Sequence, residues 1–95
     1  MQDLTDNTAR QRFELRENGY TAFADYRREG SHLIIRHVEA PPELRGKGTA
    51  GRLMEAIVAQ AKAENAHIVP LCGYARAWLK RHPEHSGIVA SQAVL

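Results

Sequence analysis

The first third of the chain alternates between apolar and polar side chains, as strands with one buried face do. Phe13 and Leu15 are flanked by charged residues, and the dipeptide Asn18-Gly19 follows them. A two-residue type I′ turn needs positive φ at both central positions, which makes Asn-Gly a strong hairpin signal. We therefore predict a hairpin that turns at Asn18-Gly19 and returns over residues 20–28.

This turn also predicts which side chains face each other across the hairpin. It places Leu15 opposite Ala22 and Phe13 opposite Ala24. Phe23 points to the other face, because successive strand residues alternate. We therefore expect both faces of the sheet to be at least partly covered.

A third strand is predicted over residues 33–38, where strict alternation puts His37 on the same face as Leu33 and Ile35. The Pro41-Pro42 pair ends this strand, because proline has no N–H to donate to a sheet.

Helical spacing follows over residues 52–64, and Asn65 is a suitable C-terminal stop. Residues 67–71 predict a short strand, which a right-handed crossover makes parallel to the strand over 33–38. A second helix is predicted over about residues 74–81, ending at His82-Pro83. The apolar stripe of the first helix consists of Leu53, Met54, Ile57, Val58 and Ala61.

These elements predict one α+β (mixed α/β) domain over residues 1–95: an antiparallel three-strand meander, a helix, a parallel strand and a second helix. Residues 1–9 are polar and lack periodicity, so we expect a flexible tail there. The last ten residues allow either a frayed tail or an exposed edge strand at Ile88-Val89-Ala90 that pairs between chains. We accordingly expect a monomer or a weak dimer.

Composition narrows the classes of partner. The net charge is +2, and the arginines of the first hairpin alternate with acidic residues, so we expect no nucleic-acid partner. Cys72 is the single cysteine, which excludes an intrachain disulfide and favours a reducing compartment. No apolar run approaches the length of a membrane span. We therefore expect a cytoplasmic protein with no membrane partner.

The first candidate binding site is a glycine-rich turn directly before the first helix. The first amides of a helix lack intrahelical acceptors, and the helix dipole adds positive charge there. Glycines let an anion, typically a phosphate, approach these amides. The segment comprises Arg45, Gly46, Lys47, Gly48, Thr49, Ala50 and Gly51. It predicts a pyrophosphate cradle, with a plain helix start as the alternative.

Two common nucleotide motifs do not fit this segment. The spacing Gly46-x-Gly48-x-x-Gly51 matches a dinucleotide fingerprint, but the first glycine does not directly follow a strand, and no acidic residue stands about 20 positions later. A P-loop needs Ser or Thr after its lysine, whereas Gly48 follows Lys47.

Arg45-x-x-Gly48-x-Ala50 resembles the acetyl-coenzyme A signature of the GNAT acetyltransferase superfamily. Three blocks in order (residues 37–48, 69–72 and 82–84) are similar to its compact stand-alone branch, which has a reduced N-terminus. The resemblance implies N-acetyl transfer from acetyl-CoA to an acceptor amine of unknown identity. It also implies that the pyrophosphate binds the 46–51 amides, and that the pantetheine arm runs between two separated strands and pairs with backbone near Val38.

Amine acetylation needs a base, and the protonation of a leaving thiolate. Glu39, at the strand end beside the cradle, is the candidate base, and His37 is the alternative. Cys72 precedes the second helix, where a helix N-terminus favours thiolate, so it is either a nucleophile or a packing residue. The second helix has no tyrosine at the family's usual position, although Tyr74 is nearby.

Other interpretations remain open at this stage. The chain is alternatively a non-catalytic acyl-CoA-binding module, or a small protein or nucleic-acid adaptor in which the glycine turn is only structural. His82, Glu84 and His85 have metal-ligating side chains, but Pro83 breaks the helix between them and two histidines do not make a zinc site. We expect no metal.

Overall fold

The computed structural model describes residues 4–90 and contains a five-stranded sheet in the order β1-β2-β3-β4-β5. Strands β1 to β4 form an antiparallel meander, and β5 is parallel to β4, which confirms the predicted mixed fold. The strands are β1 (Leu4–Asn7), β2 (Arg12–Glu17), β3 (Tyr20–Glu29), β4 (His32–Glu39) and β5 (His67–Pro70). The helices are α1 (Thr49–Ala63) and α2 (Gly73–Arg81), with 3-10 turns at Pro42–Leu44 and Pro83–Ile88.

The β2–β3 hairpin has the predicted register. Asn18 and Gly19 both have positive φ, of 52° and 80°. Leu15 lies opposite Ala22, and Phe13 opposite Ala24, and all four side chains are buried. Alternation and turn chemistry alone therefore determine this part of the sheet.

The prediction of a flexible tail over residues 1–9 was wrong for residues 4–7, which form β1 and pair with β2. Asp6 explains the difference, because it accepts hydrogen bonds from the Tyr26 hydroxyl and, at 2.9 Å, from Arg28 Nη2. Arg28 also binds Glu64 beyond the end of α1, at 2.7 Å. This long-range network fastens a polar segment that lacks an apolar pattern; residues 1–3 lie outside the described residues.

A β-bulge corrects the predicted orientation of His37. Tyr26 pairs with Ile35 and Asp25 pairs with His37, so Arg36 has no partner on β3. An extra residue in one strand reverses the alternation beyond it. Leu33 and Ile35 face the core, as predicted, but His37 faces the opposite side of the sheet, which we call the outer face.

Helix α1 begins at Thr49, three residues before the predicted start, and buries the predicted apolar stripe against the sheet. Asn65 adopts a φ of 55° and ends the helix as predicted. The amide of Asn65 donates to the Lys62 carbonyl and that of Ala66 to the Ala61 carbonyl, at 3.2 and 2.8 Å. This pair of hydrogen bonds is a Schellman motif.

The predicted exposed strand near the C-terminus was also wrong. Ile88 is buried, Val89 forms a parallel bridge with Ile68 of β5, and the Ala90 amide donates to the Ile68 carbonyl at 2.8 Å. This segment therefore pairs within its own chain, because β5 would otherwise present a bare edge. Residues 91–95, the rest of the predicted tail or edge strand, lie outside the described residues.

The outer face carries polar and half-buried side chains, and both helices lie on the other face. Phe23, on the outer face, is covered by the guanidinium of Arg12, 3.8 Å above its ring centre. The Arg12 side chain thus provides the partial cover of the outer face that we predicted from the sequence. Within residues 4–90, no helix is both long and apolar enough to cross a membrane.

Candidate active site

The glycine turn before α1 exposes backbone amides. Gly46 and Gly48 have φ of 76° and 79°, a conformation that residues with a side chain rarely adopt, and Gly48 caps the helix. The first hydrogen bond of α1 runs from the Arg52 amide to the Gly48 carbonyl. Within residues 4–90, the amides of residues 46–51 have no hydrogen-bond acceptor. Unused donors beside the positive end of a helix dipole are suited to an anion, so this turn is a candidate anion site.

A clamp from the hairpin holds this turn in place. The carboxylate of Glu17, at the end of β2, accepts hydrogen bonds from the Thr49 hydroxyl at 2.7 Å and from Arg52 Nε and Nη2 at 2.7 and 2.8 Å. Arg52 Nη2 also donates to the Lys47 carbonyl at 2.8 Å. These bonds, led by Arg52, lower the pKa of Glu17 from 4.5 to about 2. The buried Thr49 hydroxyl is therefore engaged in the clamp, whereas residues 46–48 of the turn are exposed.

The sequence gives no signal for this clamp. Glu17 lies far from Arg52 along the chain, and a charged residue at a strand end usually faces solvent. Only the packing of α1 on the sheet brings the two side chains together.

Arg45 and Lys47 supply positive charge beside the exposed amides. Both side chains are exposed, and neither forms an ion pair with a residue in the range 4–90. Arg45 Nε donates to the Ala40 carbonyl at 3.2 Å, which links the turn to the end of β4. Their charges remain available to a phosphate.

Gly51 has a different role from the other two glycines. It lies in the first turn of α1 with ordinary helical backbone, and a Cβ at this position would lie 3.4 Å from Trp78 Nε1. This is an ordinary contact distance, and it shows that α2 packs against the start of α1 at Gly51. The Trp78 side of α2 consequently lies beside the glycine turn.

A gap between β4 and β5 opens close to this turn. Their pairing ends at Ile35 and Pro70, and the Ile35 carbonyl accepts from the amides of both Leu71 and Cys72, at 3.0 and 3.2 Å. Beyond Ile35, β4 remains paired with β3, while the other chain turns into α2. Residues 36–39 of β4 thus have one edge without a neighbouring strand in the described sheet.

Cys72 and Tyr74 stand where the chain leaves β5. Cys72 is half-buried and caps α2, although its side chain makes no capping hydrogen bond. Tyr74 lies one helical turn before Trp78, on the same side of α2. Burial raises the pKa of Tyr74, and the nearby Cys72 adds to this shift while the charge of Arg81 opposes it. A raised pKa keeps the phenol protonated.

The two alternative bases prove to be one hydrogen-bonded pair. His37 and Glu39 both lie on the outer face of β4, and His37 Nε2 is 2.9 Å from Glu39 Oε1. Both side chains are about half exposed, at 54% and 50%. Val38, between them, faces the core opposite Ala24 and is half-buried.

The two histidines after α2 have different partners. His82 stacks on Trp78 at 3.8 Å, and its Nδ1 lies 2.8 Å from the Trp78 carbonyl oxygen. His85 lies 3.0 Å from Glu55 of α1, and the possible ligand atoms of Glu55, Glu84 and His85 lie within 4.8 Å of one another, without His82. These contacts connect the segment after α2 to both helices.

The family model of GCN5-related N-acetyltransferases matches residues 12–88, which include the glycine turn, the β4–β5 gap and α2. The chain belongs to the GCN5-related N-acetyltransferase family. A search of curated proteins gives no significant match.

A solution NMR structure supports this family's fold for the chain. It is that of a provisionally assigned GCN5-like N-acetyltransferase from Staphylococcus aureus. The two chains superimpose with a TM-score of 0.73 at 23% identity, over 94% of this chain and 88% of the other. At this identity the likeness shows the fold alone. The predicted family and the predicted fold class are both confirmed.

Proposed function

We propose that this GCN5-related N-acetyltransferase transfers an acetyl group from acetyl-CoA to a primary amine. The observation that carries the proposal is the row of free amides at residues 46–51, clamped in place beside the open edge of β4. A helix start alone would need neither the two left-handed glycines nor the Glu17 clamp.

The proposed cofactor fits the residues present. The free amides, with Arg45 and Lys47, suit a pyrophosphate. The unpaired edge of β4 over residues 36–39 offers backbone groups to an extended ligand with amide groups, as in the addition of a strand to a sheet. A Cβ at Gly48 would meet Arg52 Nη1 at 3.0 Å, so this glycine keeps the turn close to its clamp.

Acetyl-CoA would supply an acyl group activated as a thioester. In the overall reaction an N–C bond forms, the C–S bond breaks, the amine loses a proton and the thiolate gains one. His37 would accept the proton of the amine, and Glu39, bonded to its Nε2 side, would orient the ring and stabilise the imidazolium. This arrangement uses both bases that the sequence offered as alternatives.

Tyr74 is our candidate donor of the proton to the thiolate. It is a hydroxyl-bearing residue on the Trp78 side of α2, and Trp78 packs beside Gly51 at the start of α1. Cys72 lies beside it. We propose a supporting place for Cys72 in the wall of the gap rather than a covalent role, because its half-buried side chain makes no hydrogen bond in the described residues.

Calorimetric titration with coenzyme A and acetyl-CoA tests the proposal, with NAD and ATP as controls. We expect binding by the coenzyme A pair alone, and loss of that binding in Gly48→Val while the circular dichroism spectrum is retained. Equal binding of all four ligands, or of none, would overturn the proposal. Binding without any acetyl transfer, unaffected by His37→Gln or Glu39→Gln, would instead indicate a non-catalytic acyl-CoA-binding module.

A further inference from the structure

The outer face of the sheet carries a cleft that the glycine turn and the β4–β5 gap do not use. Its volume is about 540 Å³, and it lies between the β1–β2 loop and the bulge of β4. Gln11 joins the loop to the sheet, because its carbonyl accepts from the Tyr26 amide at 2.9 Å. Arg10, Asp25, Arg36 and His37 are among the residues that line it.

Because of the bulge in β4, the candidate base His37 lies at this cleft. Because Arg36 is the extra residue of β4, His37 turns to the outer face and becomes part of the cleft wall. The same strand segment has its free edge toward the β4–β5 gap. One short stretch of β4 therefore borders both the proposed cofactor path and the cleft.

The charges of the cleft are unbalanced. Asp25 is paired with Arg12 at 3.0 Å, and His37 with Glu39 at 2.9 Å. Arg10 and Arg36 are exposed, and neither forms an ion pair with a residue in the range 4–90. The guanidinium groups of Arg10 and Arg36 are thus available to bind a ligand. A guanidinium favours carboxylate and phosphate, with which it forms paired hydrogen bonds.

We propose that this cleft binds the acceptor, and that the acceptor is a primary amine that carries a carboxylate or phosphate group close to its nitrogen. The inference rests on the proposed function and specifies its second substrate. Arg10 and Arg36 bind the anionic group, which leaves the amine facing His37. A polyamine is disfavoured, because its second ammonium would lie against two arginines.

Binding can be measured without turnover. Isotope-labelled protein saturated with coenzyme A is titrated with β-alanine, phosphoethanolamine and n-propylamine, and amide shifts are followed by NMR. We expect saturable shifts at Arg10, Gln11, Arg36 and His37 with at least one of the two anionic amines, and none with n-propylamine. Comparison of the two anionic amines identifies carboxylate or phosphate as the preferred group.

Arg36→Gln and Arg10→Gln should each weaken this binding by about tenfold, as expected for loss of a charge-assisted hydrogen bond. Arg27→Gln is the matched control. It removes the same charge from an exposed β3 residue that is paired with Glu29 at 3.0 Å, outside the cleft. An equal loss in all three variants would mean that only the net charge matters, and would overturn the inference.

The titration distinguishes a wrong acceptor site from a wrong cofactor site. If coenzyme A binds but n-propylamine shifts the cleft as strongly as β-alanine does, or no amine shifts it, the acceptor assignment is wrong and the cofactor site stands. If coenzyme A itself fails to bind, the proposed function is wrong, and the acceptor assignment falls with it.

Discussion

Arg52, near the start of α1, donates two hydrogen bonds to Glu17 at the end of β2, from Nε at 2.7 Å and from Nη2 at 2.8 Å. The same guanidinium donates to the Lys47 carbonyl inside the glycine turn. The hairpin of the meander thereby sets the position of the candidate phosphate site. Stability and ligand binding should be coupled through this one carboxylate.

Glu17→Gln should reduce stability near neutral pH and make it less sensitive to acid. The clamp lowers the pKa of Glu17 from 4.5 to about 2. A carboxyl whose pKa is depressed on folding stabilises the protein above its unfolded pKa, and this contribution is lost as the pH falls from about 4.5 toward 2. Calorimetric melting at pH 7 should show a Tm lower by roughly 4 °C in the variant, and melting between pH 4.5 and 2 should show a smaller fall in its Tm than in that of the parent.

Glu29→Gln is the control for this experiment, because Glu29 forms an exposed pair with Arg27. Such pairs contribute little, so its melting profile should follow that of the parent chain. A Glu17→Gln profile that parallels the parent at every pH would contradict the role of the clamp.

Gly48→Ala should both weaken coenzyme A binding and destabilise the fold. The substitution forces a side chain into a φ of 79° and places its Cβ 3.0 Å from Arg52 Nη1. The left-handed conformation costs about 1–2 kcal/mol for a residue with a side chain. We expect at least a tenfold rise in the Kd for coenzyme A, measured by calorimetry, because the clamp and the amides must both move.

Gly30→Ala is the control that separates the effect of backbone strain from the effect of the geometry of the candidate phosphate site. Gly30 also has positive φ, of 57°, but a Cβ there would meet nothing within 4 Å, and it lies in the β3–β4 turn. The Tm of Gly30→Ala should fall by about as much as that of Gly48→Ala, while its Kd for coenzyme A stays at the parent value. Equal Kd values for the two variants would show that Gly48 serves only the helix start.

Gly51→Ala should be tolerated, in contrast to Gly48→Ala. Its backbone is helical, and the added Cβ would meet Trp78 Nε1 at an ordinary 3.4 Å. Alanine is favoured over glycine inside helices by about 0.5–1 kcal/mol. Thermal melting should show an unchanged or slightly raised Tm, and coenzyme A binding should persist. A large loss of binding would assign Gly51 a direct contact with the ligand.

His37→Gln and Glu39→Gln should each lower kcat with little change in coenzyme A affinity. A positioned base contributes about 10²–10⁴-fold to such reactions, and Glu39 acts through His37. The double variant should therefore be about as slow as His37→Gln alone, since the two residues act as a unit. Additive losses in steady-state assays would mean that the two side chains have separate roles.

Tyr74→Phe should lower kcat by about tenfold or more, since it removes the hydroxyl that we assign as proton donor. Cys72→Ser should retain most of the parent rate, because Cys72 is placed in the wall of the gap. The turnover of both variants is measured by the release of the coenzyme A thiol. Complete loss of turnover in Cys72→Ser would instead support acetylation of that cysteine.

The sequence predicted those features that depend on neighbouring residues. Asn18-Gly19 determined the hairpin register, and Asn65 determined the end of α1, because each depends on backbone preferences within a few residues. The glycine turn was located in the same way. Its positive φ values at Gly46 and Gly48 require no distant contact.

The missed features all depend on distant partners. Strand β1 is held by Asp6 and Arg28, and the clamp joins Glu17 to Arg52. The bulge at Arg36 likewise arises from the pairing of β4 with β3, and without it the outward direction of His37 is not predictable. The candidate base and the acceptor cleft therefore depend on a single extra residue in one strand.

Strand β5 is the one described strand that joins the sheet without a hairpin. Each earlier strand closes onto its neighbour through a short turn, whereas β5 reaches β4 only after the whole of α1, and pairs with it through four residue positions. Pairing between segments this far apart along the chain is slow to form, because a long loop must close first. The β4–β5 junction should therefore be the last part of the sheet to assemble, and it is also the junction that our proposed cofactor would enter.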